Sequence, residues 1–92
     1  MSNCRDIKKD INFLADQMLT ECFSFLEYSP TNNQENVMDI LHDVEQLRVN
    51  LLYRVNNPPK NGSIKKHYRD IIDEMYQQNI DLLERLNGLL EQ

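Results

Sequence analysis

Three runs of apolar residues, each spaced by three or four positions, dominate this sequence. The first extends from Cys4 to Phe25, the second from Val37 to Val55 and the third from Ile64 to Leu89. Such spacing keeps apolar side chains on one side of an α-helix, which has 3.6 residues per turn. Each run therefore predicts an amphipathic helix of about 24 residues, about 36 Å long.

The segments between the runs contain the residues that end helices. Pro30 follows the first run, and Asn56-Asn57-Pro58-Pro59 follows the second. Proline cannot donate a backbone hydrogen bond and disfavours helix in the residue before it. Gly62 and Ser63 then offer a turn and an N-cap for the third helix. We expect helices over residues 4–28, 33–56 and 64–90.

Short connections between helices of similar length favour antiparallel neighbours. The sequence therefore predicts an all-α fold, an up-down-up antiparallel three-helix bundle. Its 92 residues are too few for two domains, since chains divide only well above this length. We expect a single helical domain over residues 1–92.

The apolar side of each predicted helix is wide, spanning about 180° on a helical wheel. A helix with two neighbours in a monomeric bundle buries a narrower apolar side. We therefore expect a homodimer, in which a second copy covers the remaining apolar surface. The alternative is a set of scattered exposed apolar residues, which are normal on protein surfaces. Asn79 is counted among the candidate interface residues because one polar residue in a helical seam commonly fixes register or oligomeric state. The candidate interface residues are Phe13, Leu19, Phe23, Val49, Tyr53, Tyr76, Asn79 and Ile80.

Arg48 interrupts the second apolar run. A bare buried guanidinium group is very costly, so we expect Arg48 to reach solvent or to meet a carboxylate. Counting positions along the predicted helices makes Asp16 and Asp73 or Glu74 the nearest carboxylates. Arg48 is either a structural ion pair or an anion-binding residue at an interface.

The charged residues are unevenly distributed. The net charge of −5 weighs against a protein that coats duplex nucleic acid or a membrane surface. In the predicted bundle, residues 1–15 and 45–76 share one end, which we call the basic end. It has nine cations and six carboxylates, a net charge of +3, whereas the rest of the chain has one cation and nine carboxylates, a net charge of −8. Candidate residues for an anionic partner are Lys8, Lys9, Arg48, Arg54, Lys60, Lys65, Lys66 and Arg69.

Motifs for catalysis and metal binding are absent from the sequence. It has no Gly-rich phosphate loop, no HExxH and no GxSxG. Cys4 and Cys22 would lie about 27 Å apart on one helix, too far for a disulfide, and are interpreted as free apolar residues. His42 and His67 each have an aspartate three positions away, but neither pair lies on an apolar stripe. We therefore expect no catalytic residues, no metal and no cofactor.

No segment reaches the roughly 18 apolar residues of a membrane span, and none resembles a signal peptide. We therefore expect a cytoplasmic protein with no membrane partner. The stretches Asn3-Cys4, Ile7–Asn12, Val55–Pro59 and Lys66-His67-Tyr68 resemble those of small uncharacterised bacterial all-helical proteins. This resemblance covers most of the chain. It implies a bacterial cytoplasmic origin and indicates no activity.

The function that fits these observations best is non-catalytic protein interaction. We expect a small regulator, adaptor or chaperone that uses its basic end to dock an anionic partner. One alternative is a nucleic-acid-binding regulator, since aromatic residues occur in the same half of the chain. A second is a small helical enzyme of the chorismate mutase type. Such an enzyme needs several inward Arg and Lys side chains, whereas here only Arg48 interrupts the centre of an apolar run.

Overall fold

Three α-helices account for almost all of the chain that the structure describes. The computed structural model describes residues 4–28 and 33–90. Within them, α1 is Cys4–Tyr28, α2 is Gln34–Asn56 and α3 is Ile64–Leu90, and these ranges contain no strand. The prediction of an all-α chain with three helices is confirmed. Helix α2 begins after Asn33, whose φ of 59° and ψ of 21° place it in the left-handed region.

The start of α3 is defined by a turn and a cap. Gly62 has a φ of 100°, a conformation that glycine adopts without steric cost. The backbone N–H of Lys66 donates to Ser63 Oγ at 3.2 Å, and the backbone N–H of His67 donates to the Ser63 carbonyl at 3.0 Å. The prediction that Ser63 is an N-cap is confirmed.

Replacing Ser63 by alanine is expected to lower the free energy of unfolding by about 1 kcal/mol, because the Lys66 N–H loses its acceptor. The measurement is urea denaturation followed by circular dichroism. Asn61→Ala is a suitable control, since Asn61 is exposed in the same loop and is expected to change stability by less than about 0.5 kcal/mol. Equal losses in the two variants would count against the cap.

All three helices contribute to an apolar interior, which divides into two clusters. Burial of these side chains, not intrinsic helix propensity, supplies most of the stability of such helices. The basic-end cluster contains Ile7, Ile11, Leu51, Val55, Ile71 and Met75. The acidic-end cluster contains Ala15, Met18, Cys22, Phe25, Val37, Ile40, Val44, Leu82 and Leu86.

A cavity of about 20 Å³ lies where the two clusters meet, and both Arg48 and Asn79 line it. Of the two outcomes expected for Arg48, reaching solvent or meeting a carboxylate, the structure shows a carboxylate partner, but the expected partners were wrong. Arg48 Nε and Nη2 donate to Glu45 Oε2 and Oε1, each at 2.8 Å. Glu45 lies one turn earlier on the same helix, so this pair forms without depending on how neighbouring helices are aligned.

Polar contacts join the ends of α2 to the ends of α3. His67 Nε2 donates to the Arg54 carbonyl at 2.8 Å, beside the loop between the two helices. At the opposite end, Asn33 Nδ2 donates to the Leu89 carbonyl at 3.5 Å. The molecule is elongated, with extents of 49, 19 and 18 Å. Residues near the α2–α3 loop are therefore far from those at the other end.

Candidate functional site

The starts of α1 and α3 and the end of α2 meet at one end of the molecule. Cys4 Sγ lies 2.7 Å from the Tyr68 hydroxyl oxygen, which brings the first turns of α1 and α3 together. The loop over residues 57–63 is exposed and crosses the same end. We define residues 4–9 and 54–69 as the basic tip. It has one carboxylate, Asp6, and eight cations: Arg5, Lys8, Lys9, Arg54, Lys60, Lys65, Lys66 and Arg69.

Three of the candidate partner-binding cations form ion pairs. Arg54 pairs with Glu74 across the α2–α3 contact, and Lys66 Nζ lies 2.8 Å from Asp70 Oδ2 within α3. Arg48 lies outside the basic tip and pairs with Glu45, as described above. Each of these charges is already partly neutralised, so it attracts an incoming anion less strongly than an unpaired cation does.

The remaining five candidates form no ion pair within the described residues. They are Lys8, Lys9, Lys60, Lys65 and Arg69, and Arg5 shares this property. Lys8 is half-buried while the others are exposed. Long side chains such as Lys8 can pack their methylene groups on apolar neighbours and still hold the charge in water. The basic tip therefore presents six cations that are open to a partner.

The helix dipoles strengthen the positive field at the basic tip. The positive ends of the α1 and α3 dipoles lie there with the negative end of α2, so two positive ends outweigh one negative end. A cation near a positive end is disfavoured by about 0.3–1 kcal/mol. Lys65 and Lys66 occupy the first turn of α3, and Arg5 occupies the first turn of α1. Helix stability alone does not favour these positions. Aligned N–H groups and unpaired cations together attract an anionic ligand.

Two titratable groups near the basic tip have shifted pKa values. The hydrogen bond from Lys66 lowers the pKa of Asp70 below its usual range. The stabilisation from this pair is therefore present at neutral pH and is lost as the pH falls through the lowered pKa. The hydrogen bond with Cys4 raises the pKa of the Tyr68 hydroxyl above its ordinary value. Asp70 thus stays ionised and Tyr68 stays neutral near pH 7.

Reactive and metal-ligating side chains are dispersed through the described part of the chain. No group of three or more His, Cys, Asp and Glu residues there could hold a metal ion. Both cysteines are free, and Cys22 is buried. Burial, with a smaller contribution from Glu21, raises the pKa of the Cys22 thiol, which disfavours the nucleophilic thiolate.

The predicted interface residues lie on all three helices, and the structure brings two of them together. Phe13 and Asn79 line an open groove of about 440 Å³ between α1 and α3, with Leu83 and Glu21 in the same walls. Leu19 is half-buried against the acidic-end cluster. The other five predicted interface residues are exposed: Phe23, Val49, Tyr53, Tyr76 and Ile80.

Sequence reasoning missed the contribution of Leu83 and Glu21 to this groove. A signal for Leu83 was present, because Leu83 lies seven positions after Tyr76 and so on the same side of α3. A signal for Glu21 was present too, because Glu21 stands where the spacing of the first run calls for an apolar residue. Its place depends on how α1 packs beside α3.

No family model, curated protein or solved structure matches this chain. The resemblance to small bacterial helical proteins therefore assigns no family, and the function is inferred from the site. Within the described helices, no stretch is long and apolar enough to cross a lipid bilayer.

Proposed function

We propose that this protein is a small non-catalytic interaction module that docks an acidic surface of a protein partner on its basic tip. It would act in the cytoplasm as a regulator, adaptor or chaperone. The observation that carries the proposal is the charge of the tip. Eight cations and one carboxylate occupy two helix starts, the end of α2 and one loop, and six of the cations form no ion pair within the described residues.

The charge outside the basic tip favours a compact anionic partner over a long polyanion. The rest of the chain has two cations and fourteen carboxylates. A duplex extending past the tip would run along this acidic surface and be repelled. At physiological salt the field of an exposed charge decays over about 8 Å, so a partner confined to the tip avoids most of this repulsion.

We infer further that the helices run up, down and up and that the chain pairs as a homodimer. The end-to-end contacts of α2 with α3 and the Cys4–Tyr68 contact support the topology. The exposed large apolar side chains support the dimer, since a second copy would cover some of them. The non-catalytic assignment is supported by Arg48, whose guanidinium group is already paired with Glu45.

Affinity capture from native cytoplasm with two variants of equal net charge tests the proposal. The tip variant carries Arg5→Gln, Lys8→Gln and Lys60→Gln. The control variant carries Gln34→Glu, Gln46→Glu and Asn87→Asp, at three exposed positions outside the basic tip. Each set changes the net charge from −5 to −8. Mass spectrometry of the bound proteins then compares the three chains.

We expect the wild type and the control variant to retain the same protein partner and the tip variant to lose it. Retention of that partner by the tip variant would refute docking at the basic tip. Nuclease treatment of the lysate distinguishes a protein partner from the alternative, a nucleic-acid partner. If the treatment removes all tip-dependent binding, the tip is a nucleic-acid site instead.

A further inference from the structure

A groove between α1 and α2 is open at the acidic end of the molecule. It encloses about 370 Å³ and is lined there by Leu26 of α1 and by Gln34, Glu35, Met38 and Asp39 of α2. Both helices extend from there to the basic tip, so the residues that line the groove nearer the tip follow from helix periodicity. A spacing of seven residues is close to two helical turns, so such residues share a side of the helix.

Seven-residue steps back from Leu26 give the α1 wall of the groove near the basic tip. They pass through Leu19 and Asn12 and reach Arg5. Lys8 lies three residues after Arg5 and four before Asn12, so it is a neighbour of both on the helix surface. Lys8 is half-buried, whereas Arg5 and Asn12 are exposed. The α1 wall near the tip therefore has two cations and one amide.

Seven-residue steps forward from the α2 residues that line the groove give the α2 wall near the tip. These steps reach Val49, Leu52, Tyr53 and Asn56. Val49 is 57% exposed and Tyr53 is 66% exposed, and the two are neighbours one turn apart. Leu52 is half-buried against the basic-end cluster. The α2 wall therefore has an exposed apolar surface.

The two walls lie side by side at the basic tip. Ile7 and Ile11 of α1 pack in the basic-end cluster with Leu51 and Val55 of α2. The residues of each wall are close neighbours of these buried residues along the same helix. We define the tip groove by the residues of both walls: Arg5, Lys8, Asn12, Val49, Leu52, Tyr53 and Asn56.

The carboxylates of α1 near the basic tip lie on the other side of that helix. Asp16 lines the groove between α1 and α3 directly. Asp10 lies seven positions before Gln17, which lines that groove too. Asp6 lies two such steps before Thr20, another residue of the same groove. The seven-residue spacing therefore places all three carboxylates outside the tip groove.

The carboxylates of α2 limit the length of groove that an anion can use. Residues 49–57 contain none, but Glu45 lies one turn before Val49 and is already paired with Arg48. Farther along, the acidic end of the groove has two more. From Val49 to Asn56 the tip groove is about 10 Å long. This is the length of about three residues of an extended chain.

We propose that the tip groove binds a short extended segment of the protein partner, in which acidic residues adjoin an apolar one. This inference rests on the proposed function, and it names the site and the chemistry of the docked segment. Arg5 and Lys8 bind the carboxylates of the segment. Val49 and Tyr53 pack against its apolar side chain, because exposed aromatic and aliphatic groups typically form the buried centre of an interface.

Two asparagines beside these contacts match the backbone of an extended segment. Asn12 and Asn56 are exposed, and neither side-chain amide forms a hydrogen bond within the described residues. Each amide has donors and an acceptor, and the N–H and C=O groups of an extended chain need partners of both kinds.

The short length of the tip groove favours a peptide over a nucleic-acid strand. A peptide can be acidic over a few residues and neutral beyond them. A nucleic-acid strand has a negative charge at every phosphate, so its continuation along the groove would meet Glu45 and the acidic end. The surroundings of the tip groove therefore select a local cluster of carboxylates.

The tip groove takes two residues from the predicted dimer interface. Val49 and Tyr53 contact the partner, and Phe23, Tyr76 and Ile80 are left for the homodimer. Sedimentation velocity tests this division. We expect the wild type and Tyr53→Ala to have the same mass, about 22 kDa for a dimer of 11.0 kDa chains. Loss of the dimer in Tyr53→Ala would place Tyr53 between two copies and overturn the tip groove as a peptide site.

An NMR titration with a peptide tests the site. The leucine peptide contains Glu-Glu-Leu-Leu between glycines, and amide chemical shifts report both its position and its affinity. The groove variant carries Arg5→Gln and Lys8→Gln. The α3 variant carries Lys65→Gln and Arg69→Gln, at two exposed cations of the basic tip that lie outside the tip groove. Each pair changes the net charge from −5 to −7, and circular dichroism shows whether each variant folds.

We expect the largest shifts in the wild type at residues of the tip groove. The groove variant should bind the leucine peptide at least about tenfold more weakly, and the α3 variant should stay within about twofold, because screening limits the influence of distant charges.

Tyr53→Ala tests the apolar contact without changing the charge. It should weaken the leucine peptide about fivefold and leave a peptide with alanines in place of the leucines within about twofold, because the second peptide lacks the side chain that Tyr53 contacts. Tyr76→Ala is the matched control at another exposed tyrosine and should change neither affinity. Equal effects of the two tyrosine variants would overturn the apolar contact.

The outcomes distinguish the tip groove from the proposed function. If the α3 variant loses the leucine peptide and the groove variant retains it, the tip groove is overturned and docking at the basic tip stands. If neither variant weakens the peptide, both proposals fail. A single-stranded oligonucleotide that shifts the tip-groove amides at lower concentration than the leucine peptide would make the groove a nucleic-acid site and overturn the peptide.

Discussion

Replacing Ile71 by alanine is expected to lower the free energy of unfolding by about 2–5 kcal/mol. Ile71 is 0% exposed and packs in the basic-end cluster against residues of α1 and α2. Its truncation removes apolar contacts and leaves a cavity that the three helices can close only partly. Because small domains are stable by about 5–15 kcal/mol in total, much of the native stability would be lost. Urea denaturation followed by far-UV circular dichroism measures the change.

Ile64→Ala is the matched control for this prediction. It makes the same chemical change in the same helix at a side chain that is 54% exposed. We expect it to alter stability by less than about 0.5 kcal/mol. Similar losses at positions 64 and 71 would contradict the burial of Ile71.

Replacing Phe25 by alanine is expected to cost about 3–5 kcal/mol. Phe25 is 6% exposed and lies in the acidic-end cluster. Phe23→Ala is the control, since Phe23 lies two positions away on the same helix and is 59% exposed. Chemical denaturation at a concentration below dimerisation compares the two. A larger loss in the free energy of unfolding at position 23 would show that a different side of α1 packs against its neighbours.

The same experiment tests whether the chain is one domain. Both clusters are built from the same three helices, so we expect a single transition in which circular dichroism and tyrosine fluorescence change together. Two separate transitions would mean that the clusters unfold independently.

The helices could be predicted from the sequence because their signals are local. Apolar spacing identifies the buried side of each helix, and Pro58, Pro59 and Ser63 bound the long connection before α3. Residues such as Ile71 and Phe25 follow directly from that spacing. None of these inferences requires knowledge of how one helix sits against another.

The ion pairs Arg48–Glu45 and Lys66–Asp70 have local spacings that a sequence shows, but the pair between helices could not be predicted in this way. Arg48 has a carboxylate within reach on its own helix, so predicting a partner on another helix was wrong. Arg54, by contrast, pairs across helices with Glu74. Small differences in distance and desolvation decide which of several carboxylates pairs with a long cationic side chain. Those differences appear only once the helices are packed, and they decide which cations stay open to a partner.

The groove between α1 and α3 also depends on packing. The sequence marks Phe13 and Asn79 as unusual for different reasons, one as an exposed aromatic residue and the other as a polar residue in an apolar run. Only the alignment of the two helices places both in one groove beside Glu21.

Fluorescence anisotropy of a labelled octaglutamate peptide tests docking at the basic tip most directly. The peptide is titrated with the wild type, the tip variant and the control variant at low and physiological salt. We expect the tip variant to bind at least about tenfold more weakly than the wild type and the control variant to stay within about twofold, because screening limits the influence of distant charges. Equal weakening in both variants would show that net charge alone governs binding, and unchanged binding by the tip variant would contradict the basic tip as the docking site.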